Sequence, residues 1–134
     1  MAMFAAFHVA GSGLLATGKW LDAVSDNIAN INNVSRTDEK AFQARMVVAQ
    51  AEQYGNAGGV RVTGAMFGDP EGRIVYQPDH PLADEQGYVR TPDIDLGDQM
   101  TQLMIAQRGY QANLSVVKHA QDAYTQALQL GKRR

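Results

Sequence analysis

The segment Gly13-Leu14-Leu15-Ala16-Thr17-Gly18-Lys19-Trp20 carries the most inviting chemistry in this 134-residue chain. Its G-x-x-x-x-G-K spacing is that of a loop whose backbone N–H groups cradle phosphates while the lysine reaches the terminal ones. Such a loop needs Ser or Thr directly after the lysine to hold magnesium, and Trp20 stands there. It also needs a preceding strand in a parallel sheet and an acid ending another apolar strand. Met46-Val47-Val48-Ala49 runs into Gln50 instead. The glycines read better as small residues that let helices approach closely. A small P-loop-like nucleotide-binding protein is the alternative reading, and nucleotide binding abolished by Lys19→Ala would establish it.

The other reactive residue types are scattered. His8, His80 and His119 stand far apart, none four residues from another. They do not make a metal site; His8 and His119 read as helix-surface or interface residues, and His80 as a loop residue before Pro81. The acids Asp79, Asp84, Glu85, Asp93, Asp95 and Asp98 include enough carboxylates for a general acid and base. In turn-rich sequence they read as caps, turn formers and solvated charge. Asp84 and Asp93 serve turns beside Gly87 and Pro92, and alternation between Ile94 and Leu96 turns Asp95 inward. No catalytic, cofactor-binding or metal residue is assigned, and no cofactor is expected.

Composition narrows the function further. The net charge of −2 offers nucleic acid no general attraction, and Lys132-Arg133-Arg134 is too short for a binding arm. Charge is nonetheless segregated. Residues 69–98 hold eight acids and two bases, whereas residues 99–134 hold five bases and one acid. An acidic middle and a basic tail suit head-to-tail contacts between copies, or simply a solvated loop region and a favourable helix C-terminus. There is no cysteine, so disulfides and thiolate metal sites are excluded while the compartment stays open. The opening residues lack a basic n-region, and Gly11-Ser12-Gly13 cuts their apolar run, so no cleavable signal is expected. No run approaches the roughly 18–20 apolar residues that span a bilayer. Export would need a route that reads something else.

The elements that position these residues divide the chain in three: 1–33, 34–97 and 98–134. The first is helical from about Phe4 to Ile31, weakened by Gly11, Gly13 and Gly18. It stops in the asparagine-rich Asn27-Ile28-Ala29-Asn30-Ile31-Asn32-Asn33. The middle reads as a polar loop (34–40), a strand over 41–51, a flexible turn segment over 54–59 and a strand over 60–64. A turn at 68–72, a strand at 73–76, a loop over 79–87 and an extended piece at 88–90 follow. A long helix then covers about 98–130, with Asp98 as N-cap and Gly131 just past its end.

Both helices carry a seven-residue apolar repeat. Phe7, Leu14, Leu21 and Ile28 recur in the first, with Ala10, Thr17, Val24 and Ile31 three positions on. Leu103, Tyr110, Val117 and Tyr124 recur in the last, flanked by Ala106, Ala120, Ala127, Leu114 and Leu128. Each repeat draws a narrow seam that packs on another helix. Asn30 at the end of the first seam, with Tyr110 and Asn113 in the second, suits register and partner choice, because a buried amide must find its match. These residues form the candidate assembly interface. Helices that depend on partners should be mobile in dilute solution up to about residue 30 and beyond about residue 100. A coiled-coil adaptor that binds one partner reversibly is a further alternative.

Several segments together resemble the axial rod and hook family of the bacterial flagellum. They are Val9-Ala10-Gly11-Ser12-Gly13-Leu14, Ser25-Asp26-Asn27-Ile28-Ala29-Asn30, Pro81-Leu82-Ala83-Asp84, Gly87-Tyr88-Val89, Pro92-Asp93-Ile94-Asp95 and Arg108-Gly109-Tyr110-Gln111-Ala112-Asn113. The combination resembles the FlgC-type proximal rod branch and runs almost end to end. Residues 34–40 lack the Thr-Gly-Tyr run common in rod and hook relatives, and Asp79-His80 precedes Pro81 where an asparagine is expected. The resemblance implies an α+β fold: long terminal helices pairing as an antiparallel coiled coil around a small β-rich domain. It also implies a structural, non-enzymatic subunit that polymerises into the torque-transmitting rod of the basal body. The implied partners are other rod proteins, the membrane ring and rod adaptor, further copies of the chain, and the type III export apparatus. Neither nucleic acid nor direct membrane insertion is implied.

Overall fold

The computed structural model describes residues 2–55 and 57–133. Helix α1 (Ala2–Ala29) leads to strands β1 (Arg45–Tyr54), β2 (Ala57–Phe67), β3 (Arg73–Tyr76) and β4 (Tyr88–Thr91), and then to helix α2 (Leu96–Lys132). The strands form two separate antiparallel pairs, β1–β2 and β3–β4.

The two helices run antiparallel along one another. Phe4 meets Tyr124 edge to face, with ring centroids 6.3 Å apart. Farther along, Gly13 abuts Asn113 and Gly109 abuts Thr17, and Trp20 Nε1 donates to Gln102 Oε1 at 3.3 Å. At the other end Asn27 Nδ2 donates to Gln99 Oε1 at 3.0 Å. As one number rises the other falls, which fixes direction and register together. The fold is α+β, with paired terminal helices and small sheets between them in the chain.

Helix α1 ends where the asparagines begin. Asn33 N–H bonds back to the Asn30 carbonyl at 3.0 Å, closing a turn. Among the described residues no asparagine takes a left-handed conformation, so the stop is a plain turn. Helix α2 begins earlier than the sequence indicates. Asp95, not Asp98, is the N-cap: it lies in extended conformation and accepts from the Asp98 N–H at 2.9 Å. Asp98 sits in the first turn, where its charge complements the helix dipole. Asp95 is therefore exposed rather than inward-pointing, and its neighbour Ile94 takes the buried place. At the far end Gly131 lies within the helix, and Arg133 N–H closes on the Leu130 carbonyl.

The strand over 41–51 is displaced to Arg45–Tyr54, because Ala41 and Ala44 bond the loop backbone at Pro70 and Gly68 instead. The expected flexible stretch over 54–59 is mostly strand. The chain reverses at Gly55, whose φ of 59° suits glycine, and Gly58 and Gly59 already pair with Gln53 and Glu52. A bulge between Val48 and Ala49 leaves Thr63 opposite the gap. The β1–β2 hairpin lies on α1 and, among the described residues, makes no packing contact with α2.

The β3–β4 pair sits where α1 gives way to α2. Ser35 exchanges both backbone hydrogen bonds with Arg90, at 2.8 and 2.9 Å. Gly72 joins this unit to the loop, with a φ of 58°, and a β-carbon there would collide with the Thr91 carbonyl and Ala41. The buried apolar residues are mostly small: Ala10, Ala23, Val24, Ala41, Val89, Ile94 and Ala106. Small side chains let backbones approach, at the cost of little apolar area per residue.

Candidate functional site

Where the seams meet, close approach replaces large apolar knobs. A β-carbon on Gly13 would lie 2.6 Å from Asn113 Oδ1, and one on Gly109 would lie 3.2 Å from Thr17 Cγ2. Asn113 donates its amide to its own helix, at the Gly109 carbonyl, at 2.9 Å. Thr17 likewise bonds back to the Gly13 carbonyl at 2.8 Å. Each polar side chain is satisfied within its own helix and presents its remaining surface to a bare stretch of the other. Tyr110 lies beside Gly18 and stays 37% exposed.

The remaining seam residues sit at the edges of this contact. Phe7, Leu14, Leu21, Ile28, Leu103, Leu114 and Val117 are half-buried, and Tyr124 is exposed. Asn30, also half-buried, donates to the Asp26 carbonyl of its own helix at 2.9 Å. The structure thus brings Tyr110, Asn113 and Tyr124 against α1, and leaves Asn30 outside the helix-to-helix hydrogen bonds.

A different asparagine joins three elements. Asn27 is 1% exposed. Its Oδ1 accepts from the Arg45 N–H at 2.8 Å, while its Nδ2 donates to the Arg45 carbonyl at 2.9 Å and to Gln99 Oε1 at 3.0 Å. The amide mimics a neighbouring strand, presenting one acceptor and one donor to the start of β1. Gln99, 7% exposed, closes the link to α2. Neither residue is marked by the heptad reading. Asn27 follows Ala23 and Val24 at helical spacing, and that placement on the apolar stripe is the signal that could have found it.

Among the described helices and strands, α2 packs only on α1, which leaves a broad face open. Met100, Met104, Ile105 and Val116 are exposed along it, as are Phe4 and Leu15 on α1. Contiguous exposed apolar surface is of the kind that protein–protein contacts use.

The chemistry-bearing residues do not converge. Residues 13–19 lie inside α1, where the backbone N–H groups are committed to the helix ladder, so no phosphate cradle exists. Among the described residues no cluster of three His, Asp or Glu side chains can hold a metal ion. His80 Nδ1 accepts from the Leu82 N–H at 3.1 Å, and Asp93 pairs with Arg73 at 2.8 Å. Asp84 shapes the loop before β4: its carboxylate accepts from the N–H groups of Tyr88 (2.8 Å) and Gln86 (3.0 Å) and from the Thr37 hydroxyl (3.1 Å). The Tyr88 N–H foremost, aided by Thr37, Gln86 and Gly87 against partial desolvation, holds its carboxyl below the ordinary 3.8. No described helix is long and apolar enough to cross a membrane.

Known proteins are similar to this chain along nearly its whole length. A family model described as the C-terminal part of flagellar basal body rod FlgEFG proteins matches residues 85–130. The flagellar basal-body rod protein FlgC of Salmonella typhimurium is 37% identical, covering 98% of this chain and 100% of its own length. The FlgC protein of Escherichia coli O157:H7 is 35% identical over the same shares. That of Bacillus subtilis is 29% identical, again with 98% and 100% covered.

Proposed function

We propose, for a chain that belongs to the FlgC family of flagellar basal-body rod proteins, that the open face of its helix pair is the surface that packs into the rod wall. The protein is a structural, non-enzymatic subunit of the rod, and family membership associates it with other rod components. The observation that carries the finer reading is the isolation of α2, a 37-residue helix with one helical neighbour. A helix in a stable wall has neighbours on several sides, and the exposed Met100, Met104, Ile105 and Val116 supply the apolar area for them.

In this reading the terminal seams, including Phe7, Leu14, Leu21, Ile28, Asn30, Leu103, Tyr110, Asn113, Leu114, Val117 and Tyr124, divide their work. One edge holds the two helices together, and the other meets adjacent subunits. Residues 34–97 form the small outer part of the subunit. Torque passes through the wall because close-packed interiors deform little under load. The subunit leaves the cytoplasm through the flagellar export apparatus without cleavage and sits in the periplasm, between the membrane ring and the distal rod.

Leu114 is the test position, half-buried at the margin of the helix contact. In a flagellated strain expressing only the Leu114→Asp chain, motility and rods in isolated basal bodies should disappear. The purified variant should match the circular dichroism of the unaltered chain, with the fold of residues 34–97 spared, since an aspartate at that margin can reach water. Functional rods built from this variant would overturn the assignment of the α2 face.

A further inference from the structure

The two ends of the subunit carry opposite charge that is not neutralised internally. Around β3 and β4 the arginines are occupied, Arg36 by Asp38, Arg73 by Asp93 and Arg90 by Glu71, and Arg45 at the start of β1 is held by Asp26. The carboxylates of Asp69, Asp79, Asp84, Glu85, Asp95 and Asp98 have no ion-pair partner among the described residues. Beside them the β3–β4 hairpin exposes an apolar patch. Ile74 is 51% exposed, and the rings of Tyr76 and Tyr88 meet edge to face 5.3 Å apart.

The opposite end is basic. Tyr124 lies against Phe4 near the start of α1, so the residues of α2 beyond it run past the helix they pack on, and all of 121–133 are exposed. This overhang presents Leu128 and Leu130, 50% and 68% exposed, followed by Lys132 and Arg133, which have no acid partner among the described residues. An apolar patch with a basic rim thus stands at one end, and an apolar patch with an acidic rim at the other. Complementary charge of this kind fixes orientation and excludes like-with-like contacts. Helix α2 spans about 55 Å at 1.5 Å per residue, so one chain cannot bring its own ends together.

We propose that the α2 overhang of one copy seats on the outer face of the β3–β4 hairpin of a second copy. The contact is heterologous: each copy offers a different surface at each end, so copies add in a row instead of closing as a two-fold dimer. The proposal refines the assembly reading and fails separately from it. Leu114→Asp probes the side of α2, whereas the ends are probed below in purified protein without any rod.

The chain has no cysteine, so an introduced pair reports without competing thiols. The full-length chain carrying both Lys132→Cys and Asp79→Cys, oxidised at low salt, should give a ladder of linked dimers, trimers and longer rows. Each single-cysteine chain can link only once and should stop at dimers. The ladder should fade in about 1 M salt, where the Debye length falls to about 3 Å. Without the cysteines, Lys132→Glu with Arg133→Glu should weaken self-association by about tenfold. Adding Asp79→Lys with Glu85→Lys in the same chain should restore it. A double-cysteine chain that stops at dimers overturns the proposal, as does a ladder indifferent to salt and to charge reversal. Cross-linking only to a different protein in flagellated cells also overturns it, because the occupant is then not a second copy.

Discussion

Replacing Asn27 by alanine removes one side chain and uncouples three elements. The amide makes three hydrogen bonds, to the Arg45 N–H, the Arg45 carbonyl and Gln99 Oε1. At a net contribution of about 1 kcal/mol each, their loss totals about 3 kcal/mol. Both side chains are buried, Asn27 at 1% and Gln99 at 7% exposure, so water restores few of the lost partners. For a chain of this size the loss corresponds to a melting temperature lower by about 10 °C. Urea denaturation followed by far-ultraviolet circular dichroism measures it directly. Asn27→Asp adds a second readout. Its new oxygen would face the Arg45 carbonyl and Gln99 Oε1, and burial would raise the introduced carboxyl above its ordinary value of about 3.9. A raised folded pKa favours the neutral acid. Compared with Asn27→Ala, this variant should therefore be most stable below about pH 3.9 and lose stability as pH rises, levelling off above the raised folded value. An Asn27→Ala chain destabilised by less than about 1 kcal/mol would refute the claim that this amide clamps the three elements.

Other outcomes follow from the same geometry. Gly13→Ala should destabilise by about 1 kcal/mol, because the new methyl group meets Asn113. In an Asn113→Ala background the same change should stabilise by about 1 kcal/mol through helix propensity alone; equal effects in the two backgrounds would refute close approach at this point. Asp84 should make the loop before β4 acid-sensitive. Its lowered carboxyl pKa contributes stability above the ordinary 3.8, and this is lost as pH falls through the lower folded value. Amide exchange of Gln86 and Tyr88 should rise over that acid range, and Asp84→Ala should abolish the transition. Chymotrypsin should cut first at Tyr124, Leu128 and Leu130 in the overhang, read by mass spectrometry of early fragments. A first cut within the β1–β2 hairpin would contradict the low protection expected of an unpartnered helix end.

Patterns that repeat within a few residues were legible from the start. The heptads located both helices, Asp79 to Gly87 read as a loop, and Arg73-Ile74-Val75-Tyr76 read as a strand that the structure places at the same four residues. Local ambiguity accounts for the misplacements. Asp95 and Asp98 are both acceptable caps, and only the extended backbone at Asp95, with the helix starting at Leu96, selects Asp95. Gly58 and Gly59 look like turn residues until β1 lies beside them to accept their pairing.

The sequence by itself determined that this chain has two amphipathic helices, a turn-rich middle and opposite charge in its later segments. These follow from side-chain type and spacing, which act over one or two turns. Tertiary structure alone decided which helix each seam meets and in what register. It also decided which polar groups become interior, because Asn27 and Gln99 are 72 residues apart and neither position reveals its partner. The resulting face of α2 and its overhang past α1 exist only once the antiparallel register is set. That register leaves the helix ends unequal, and the unequal ends are what a second subunit can recognise.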